Sequence, residues 1–354
     1  MSFFSDEFIR YLDQHADIID QESGRYGDAL LERIGAEGAF RVGVPESLGG
    51  SGGDLQDVVE VLSELAQHSL TAAFISWGHR TFIDNILHSA NPYYRDHYLD
   101  RLLTGSYAGA TALSNAVKYL SELEELNVTI RKEEGGYKLY GRLPWVTNAR
   151  ARRFITIFVA GFEGEDRPPL VLAVPSHAAN FHRSRDLEFV SLQGSNTAAL
   201  TFDGVDLDPN WLIAEDAGTF LKENRPAFLG FQFGLAFGLA EKSLSQVAEH
   251  LDRRQVLERE YEDNQTELQR IKTELYQGLE QAHYFVDRPR ELFQLRIDIV
   301  DVVAQSLLLE LQAGGGSAYF KAAESGFIRR WNEGAFLPIV SPSAVQLRHI
   351  LQTT

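Results

Sequence analysis

The chain of 354 residues contains no cysteine. That excludes disulfides, thiolate zinc sites, cysteine-ligated iron–sulfur clusters and a cysteine nucleophile. Basic residues are in deficit: 33 Lys and Arg against 50 Asp and Glu give a net charge of −17. A surface so acidic repels phosphate backbones, so no nucleic-acid partner is expected, and an anionic substrate needs a local basic patch. No apolar run approaches the ~18 residues of a membrane span. The first residues carry Asp6, Glu7 and Asp13, where a secretory leader has a basic start and an apolar stretch. The expectation is a soluble, cytoplasmic protein. The histidines are scattered: His79, His88 and His97 stand nine apart and no His-Glu-x-x-His occurs, so no metal site is expected. A phosphate-binding Gly-x-x-x-x-Gly-Lys loop, a strand-then-helix Gly-x-Gly-x-x-Gly and a Gly-x-Ser-x-Gly elbow are missing too.

What is present is an ordinary globular balance, 44% apolar and 23% charged residues, arranged in three compositional blocks. Residues 1–107 have helical spacing: Val58, Val61, Leu62 and Leu65 fall at i, i+3, i+4 and i+7, with Asp54 placed to cap that helix after a Gly49–Gly53 turn. Residues 108–213 change to a period of two. Val128–Ile130 and Tyr137–Tyr140 flank Glu134-Gly135-Gly136, a hairpin pattern, and 154–159 and 170–174 read as strands. The strand ending at Phe202 is expected to turn at Asp203-Gly204. Residues 214–354 return to helix over 230–247, 265–279 and 290–311, with Gly234 and Gly238 spaced for close helix packing. Gly314-Gly315-Gly316 follows a long helix and reads either as a C-terminal turn of positive φ or as backbone approached closely by a cofactor.

One segment stands apart. Pro144-Trp145-Val146-Thr147-Asn148 closes a predicted strand with an aromatic ring, a hydroxyl and an amide in quick succession. It is either a core tryptophan beside a turn or a wall for a planar heteroaromatic ligand.

Five stretches, in order, resemble the acyl-CoA dehydrogenases and their flavoprotein relatives. They are Phe40 to Gly53; Leu143 to Asn148; Gly194-Ser195-Asn196-Thr197 through Val205; Lys222-Glu223-Asn224-Arg225-Pro226 with Gly234-Leu235-Ala236; and Gln312 to Gly316. The resemblance implies an α+β multidomain fold: an N-terminal α-helical domain, a central β-barrel and a C-terminal four-helix bundle. It implies FAD, with Trp145 and Thr147 flanking the isoalloxazine, Ser114 near the ring, and Gly314 and Gly315 near the diphosphate or a neighbouring adenosine. Arg253, with Arg254 as an equal candidate, falls where the family has a diphosphate-binding arginine. It implies a homodimer or homotetramer, an acyl-CoA or acyl-carrier-protein thioester as substrate, and an electron-transfer flavoprotein or other acceptor.

Two departures bear on the reaction. The usual base glutamate aligns with Ser341, and the alternative base position reads Asn224, with Glu223 one residue away. The loop after the first strand reads Ser114-Asn115-Ala116-Val117-Lys118, without the family's glycines. Three readings follow: oxidation of an acyl thioester with an unusual base, Glu223 or else Glu333; a flavin-dependent monooxygenase; or a non-catalytic flavin-binding relative. Glu333 aligns with a structural aspartate beside an arginine, so a paired role is the simpler expectation for it.

Overall fold

A computed structural model describes residues 2–22, 26–320 and 326–353. Five helices come first: α1 (Asp6–Gln21), α2 (Gly27–Ala36), α3 (Leu55–His68), α4 (Leu70–His88) and α5 (Tyr93–Leu103). Strand β1 (Ala108–Thr111) and a short helix α6 (Ser114–Leu120) lead into β2 (Val128–Glu133), β3 (Gly136–Val146), β4 (Phe154–Phe162), β5 (Leu170–Pro175), β6 (Phe181–Asp186), β7 (Ala198–Asp206) and β8 (Leu212–Ala214). The rest is helical: α7 (Ala217–Ala248), α8 (Glu258–Glu280), α9 (Tyr284–Asp287), α10 (Pro289–Gly314), α11 (Phe327–Gly334) and α12 (Ala344–Thr353).

The order of helix, sheet and helix is the expected one, and α3 starts where the sequence places it. Asp54 accepts from the backbone N–H groups of Gln56 and Asp57, and the Asp57 carboxylate accepts from the N–H of Asp54. The apolar stripe of α3 packs on α7. A Cβ at Gly234 would lie 2.6 Å from the Val59 carbonyl oxygen, and one at Gly238 would collide with the carbonyl of Ser63. The glycine pair therefore does what its spacing predicts, and it joins the first helical block to the last in one core. Helix α4 lies inside that core, with Leu70 through Ile86 all buried, and Ser69 caps it by accepting from the Ala72 N–H.

The sheet is mixed. Its path is β6-β7-β3-β2-β4-β5-β8, with β1 parallel to β4. The predicted hairpin is there, Glu133 opposite Gly136. This is the expected central β domain, and the described strands run in one path whose ends are β6 and β8. A correction concerns Asp203-Gly204. It lies inside β7, where a register shift opposite Leu139 and Tyr140 and a φ of +76° at Gly204 mark a bulge. The extra residue of a bulge wants the same positive φ as a turn, so the dipeptide fits both. A second is α6: Ser114 opens a helix of seven residues with no side-chain cap. The C-terminal block is the expected helical bundle, with three long helices, α7, α8 and α10, and the short α11 and α12 docked on them. Among the described residues, no helix is long and apolar enough to cross a membrane, and no cluster of His, Asp and Glu could hold a metal ion.

Candidate functional site

Two regions carry the residues that the sequence singles out. The first is the end of β3. Asn148, in the left-handed region at φ +60°, donates from its side-chain amide to the carbonyls of Ile75 on α4 (2.8 Å) and Gly109 on β1 (3.2 Å). Its N–H donates to the Ser195 carbonyl at 3.1 Å. Asn148 thus ties α4 and β1 through its side chain, and the Gln193–Ser195 turn through its backbone, around the segment before it. Thr147 is buried, bridges to Thr111, and accepts from the Thr197 hydroxyl at 3.4 Å; Thr197 in turn pairs with the Ser195 hydroxyl at 2.8 Å. Trp145, two residues earlier, is 58% exposed, beside a half-exposed Phe189 with ring centroids 6.4 Å apart. A large exposed ring next to a buried row of hydroxyls is not core packing. It leaves an apolar ring face open to solvent, with buried polar atoms two residues further on. Ser114 is half-buried, at the start of α6.

The second region is the face of α7 and the segment after α11. Asn224 points inward, its amide donating to the Phe220 carbonyl at 2.8 Å. Glu223 lies on the exposed side of the same turn, as the 100° step between neighbouring helix residues requires. One residue separates the two, and they face different surroundings. Ser341 is half-buried, and its carbonyl accepts from the Gln232 amide at 2.9 Å. The Gln232 oxygen accepts from Arg296 Nε at 3.0 Å, and Arg296 Nη2 donates to the Leu337 carbonyl at 2.9 Å. Arg296 is wholly buried, has no carboxylate partner and no partner for its Nη1 among the described residues, and burial pulls its pKa down to about 10. This Gln232–Arg296 pair, which holds the turn before Ser341, is not identifiable from the sequence motifs. The available signal is an arginine on the apolar stripe Leu292, Ile299 and Val303 of α10, where a charge is out of place.

Glu333 takes the paired role. It is fully buried, accepts from the Leu70 N–H at 3.0 Å and from Arg329 Nη1 at 2.9 Å, and burial raises its pKa. At the end of α10, Gly315 has φ +61° and donates its N–H to Leu311. A Cβ there would come within 2.8 Å of Arg254 Nη2. The glycine turn therefore has a close neighbour in its own chain, which the sequence does not suggest, and that neighbour is Arg254 rather than Arg253. Gly314 is closed in by Ala318. Trp145 and Thr147 stand on the sheet, while Arg254 and the glycine turn lie among the C-terminal helices.

Residues 4–106 match the family model for the acyl-CoA dehydrogenase N-terminal domain. An acyl-CoA dehydrogenase of Bacillus subtilis is 24% identical over 67% of this chain and 63% of its own length. The benzylmalonyl-CoA dehydrogenase of Aromatoleum aromaticum is 24% identical over 68% of the chain and 64% of its own length. The chain thus spans a little under two thirds of these relatives. Among solved structures, butyryl-CoA dehydrogenase from Megasphaera elsdenii superposes with a TM-score of 0.83 at 16% identity, covering 99% of this chain and 94% of that one. An FAD complex of PigA gives 0.80 at 18% identity, covering 98% and 92%. The architecture is that of the acyl-CoA dehydrogenase fold. Within it, residues 4–106 match that family's N-terminal domain.

Proposed function

We propose that the protein is an FAD-dependent oxidoreductase that oxidises an acyl thioester, on CoA or a carrier protein, at its Cα–Cβ bond. The observation that carries this reading is Trp145 and Thr147, an exposed ring and a buried hydroxyl row, at the end of β3 in a chain with this family's fold. When bound, FAD supplies the acceptor for the hydride that leaves the β-carbon. Trp145 would pack on the ring system, and the Thr147 hydroxyl would meet its polar edge. Arg254, exposed and without an ion-pair partner among the described residues, stands over a backbone turn that a side chain would obstruct, which suits a diphosphate. Both groups serve one cofactor if a second copy of the chain supplies the turn, and we take the working unit to be an oligomer. Light scattering should then give at least twice the chain mass of 39.7 kDa.

The proton at the α-carbon needs a base. Neither Ser341 nor Asn224 has a carboxylate, and Glu223 is the carboxylate we assign to the role. Its exposed position means that substrate, cofactor or a second copy must cover it. An electron-transfer flavoprotein is the class of acceptor that would regenerate the cofactor.

The reading is tested on purified protein carrying flavin by adding a range of acyl-CoAs without oxygen. Bleaching of the flavin band is expected, and its absence with every thioester would refute the reading. Separately, Trp145→Ala should remove aromatic packing of about 1–3 kcal/mol and weaken FAD binding ~5–150-fold by equilibrium dialysis. Unchanged affinity in a folded variant would remove Trp145 from the flavin wall.

A further inference from the structure

Asp20 stands where a carboxylate is poorly placed for its own helix. It lies in the last turn of α1, at the negative end of the helix dipole, and is wholly buried. Its hydrogen bonds lead away from α1. Oδ1 accepts from the Ser191 hydroxyl and from the Leu192 N–H, both at 2.6 Å, and from the Thr71 hydroxyl at 3.4 Å. Leu192 is buried and sits in the left-handed region at φ +61°, with Asn196 beyond it at φ +50°. An aliphatic residue in that region is strained and stays there only where its neighbours hold it. Backbones close on the same turn. A Cβ at Gly194 would collide with the Ile19 carbonyl oxygen, and one at Gly27, which opens α2, would collide with the Asn196 side chain. The end of α1 and the start of α2 thus clasp the turn from Leu192 to Asn196.

That turn supports the end of β3 from two sides. On one, Gln193 Oε1 accepts from the Phe189 N–H at 2.9 Å and its amide donates to the Leu187 carbonyl at 2.8 Å, which fixes Phe189 beside Trp145. On the other, the Ser195 hydroxyl leads through Thr197 to Thr147, and the Ser195 carbonyl takes the Asn148 N–H. We propose that Asp20 is a positioning residue for the flavin: it holds the turn in its strained form, and through the turn it sets the hydroxyl row and the Phe189 ring. The inference rests on the flavin reading of Trp145 and Thr147 above. Without the Asp20 acceptor, the Ser191 hydroxyl and the Leu192 N–H are buried and unpaired. The turn then gains by relaxing at Leu192, and Ser195 and Thr197, which follow it in the chain, move with it.

The test is a double-mutant cycle on FAD affinity, measured by equilibrium dialysis on the full chain. Asp20→Ala should weaken FAD binding ~10-fold in the wild-type background but less than ~3-fold beside Thr147→Val, because the row that Asp20 sets has then lost its last hydroxyl. The visible circular dichroism of the bound flavin should change in Asp20→Ala too. That signal reports the surroundings of the ring, and a loss of stability alone does not move it. Ser191→Ala removes one donor and keeps the carboxylate. It should shift both readouts in the same direction by less, and it carries the test if Asp20→Ala does not fold. Equal losses in the two backgrounds, an unchanged dichroism signal, or folded variants that bind FAD as the wild type does would overturn the inference alone, so long as Thr147→Val itself weakens FAD. If neither Thr147→Val nor Trp145→Ala weakens FAD, the inference falls together with the flavin reading.

Discussion

Glu223→Gln is expected to slow anaerobic reduction of the bound flavin by an acyl-CoA at least ~100-fold, the usual cost of losing a general base. The substitution keeps size and hydrogen bonding and removes only basicity. Substrate affinity should change little, so the loss should fall on the rate of reduction at saturation. The α-proton of a thioester is weakly acidic, and a carboxylate removes it only when the site is dry and the developing charge is stabilised. Glu223 starts from the exposed side of α7. Its effect in the variant therefore also reports whether the assembled site covers that side. Reduction at the wild-type rate would clear Glu223. Ser341→Glu would then be the gain-of-function test, since it places a carboxylate on the turn held by Gln232 and Arg296.

The second large effect concerns acid stability. His79 is wholly buried on α4, between the Phe40 ring and β1. Its Nδ1 accepts from the Gly109 N–H at 2.9 Å, which leaves Nε2 to donate to the Leu102 carbonyl at 2.8 Å. Both ring nitrogens are satisfied by the neutral ring. Burial first, and then the charges of Arg150 and Arg80, hold its pKa down to about 3, against 6.5 when unfolded. Between those values the unfolded chain binds a proton that the folded one refuses. The stability from this residue is complete above about pH 6.5 and falls by about 1.4 kcal/mol per pH unit toward pH 3. Denaturant melts of the wild type should weaken steadily across that window. His79→Gln, which has an acceptor and a donor but no titration, should have a flatter acid limb. Parallel curves for the two proteins would show that His79 does not set the slope.

Much of the frame that positions the site is local in sequence and was legible there. The α3 stripe, the Asp54 cap and the Gly234–Gly238 pair each obey a rule that spans a few residues, and the structure follows them. The segment Trp145–Asn148 is legible as unusual because three chemically different side chains follow one another at a strand end. What is not legible depends on distance or on facing. The Gln232–Arg296 pair joins residues 64 apart in sequence, and no short pattern announces it. Arg254 and Gly315 meet only because the chain reversal between α8 and α10 brings them together. Glu223 and Asn224 differ by one step of a helix, and that step decides which of them points inward. The short helix α6 lacks a capping side chain, so no start signal marks it.

The α3–α7 seam has a consequence for synthesis. Ser63 on α3 and Glu241 on α7, which meet across it, are 178 residues apart in the chain. At ~5–20 residues per second, a ribosome leaves the apolar face of α3 waiting ~10–35 s for the helix that covers it. The glycines that let the two backbones approach so closely come on α7, well after α3 has been made. The nascent chain therefore carries the uncovered apolar face of α3 through about half of its translation.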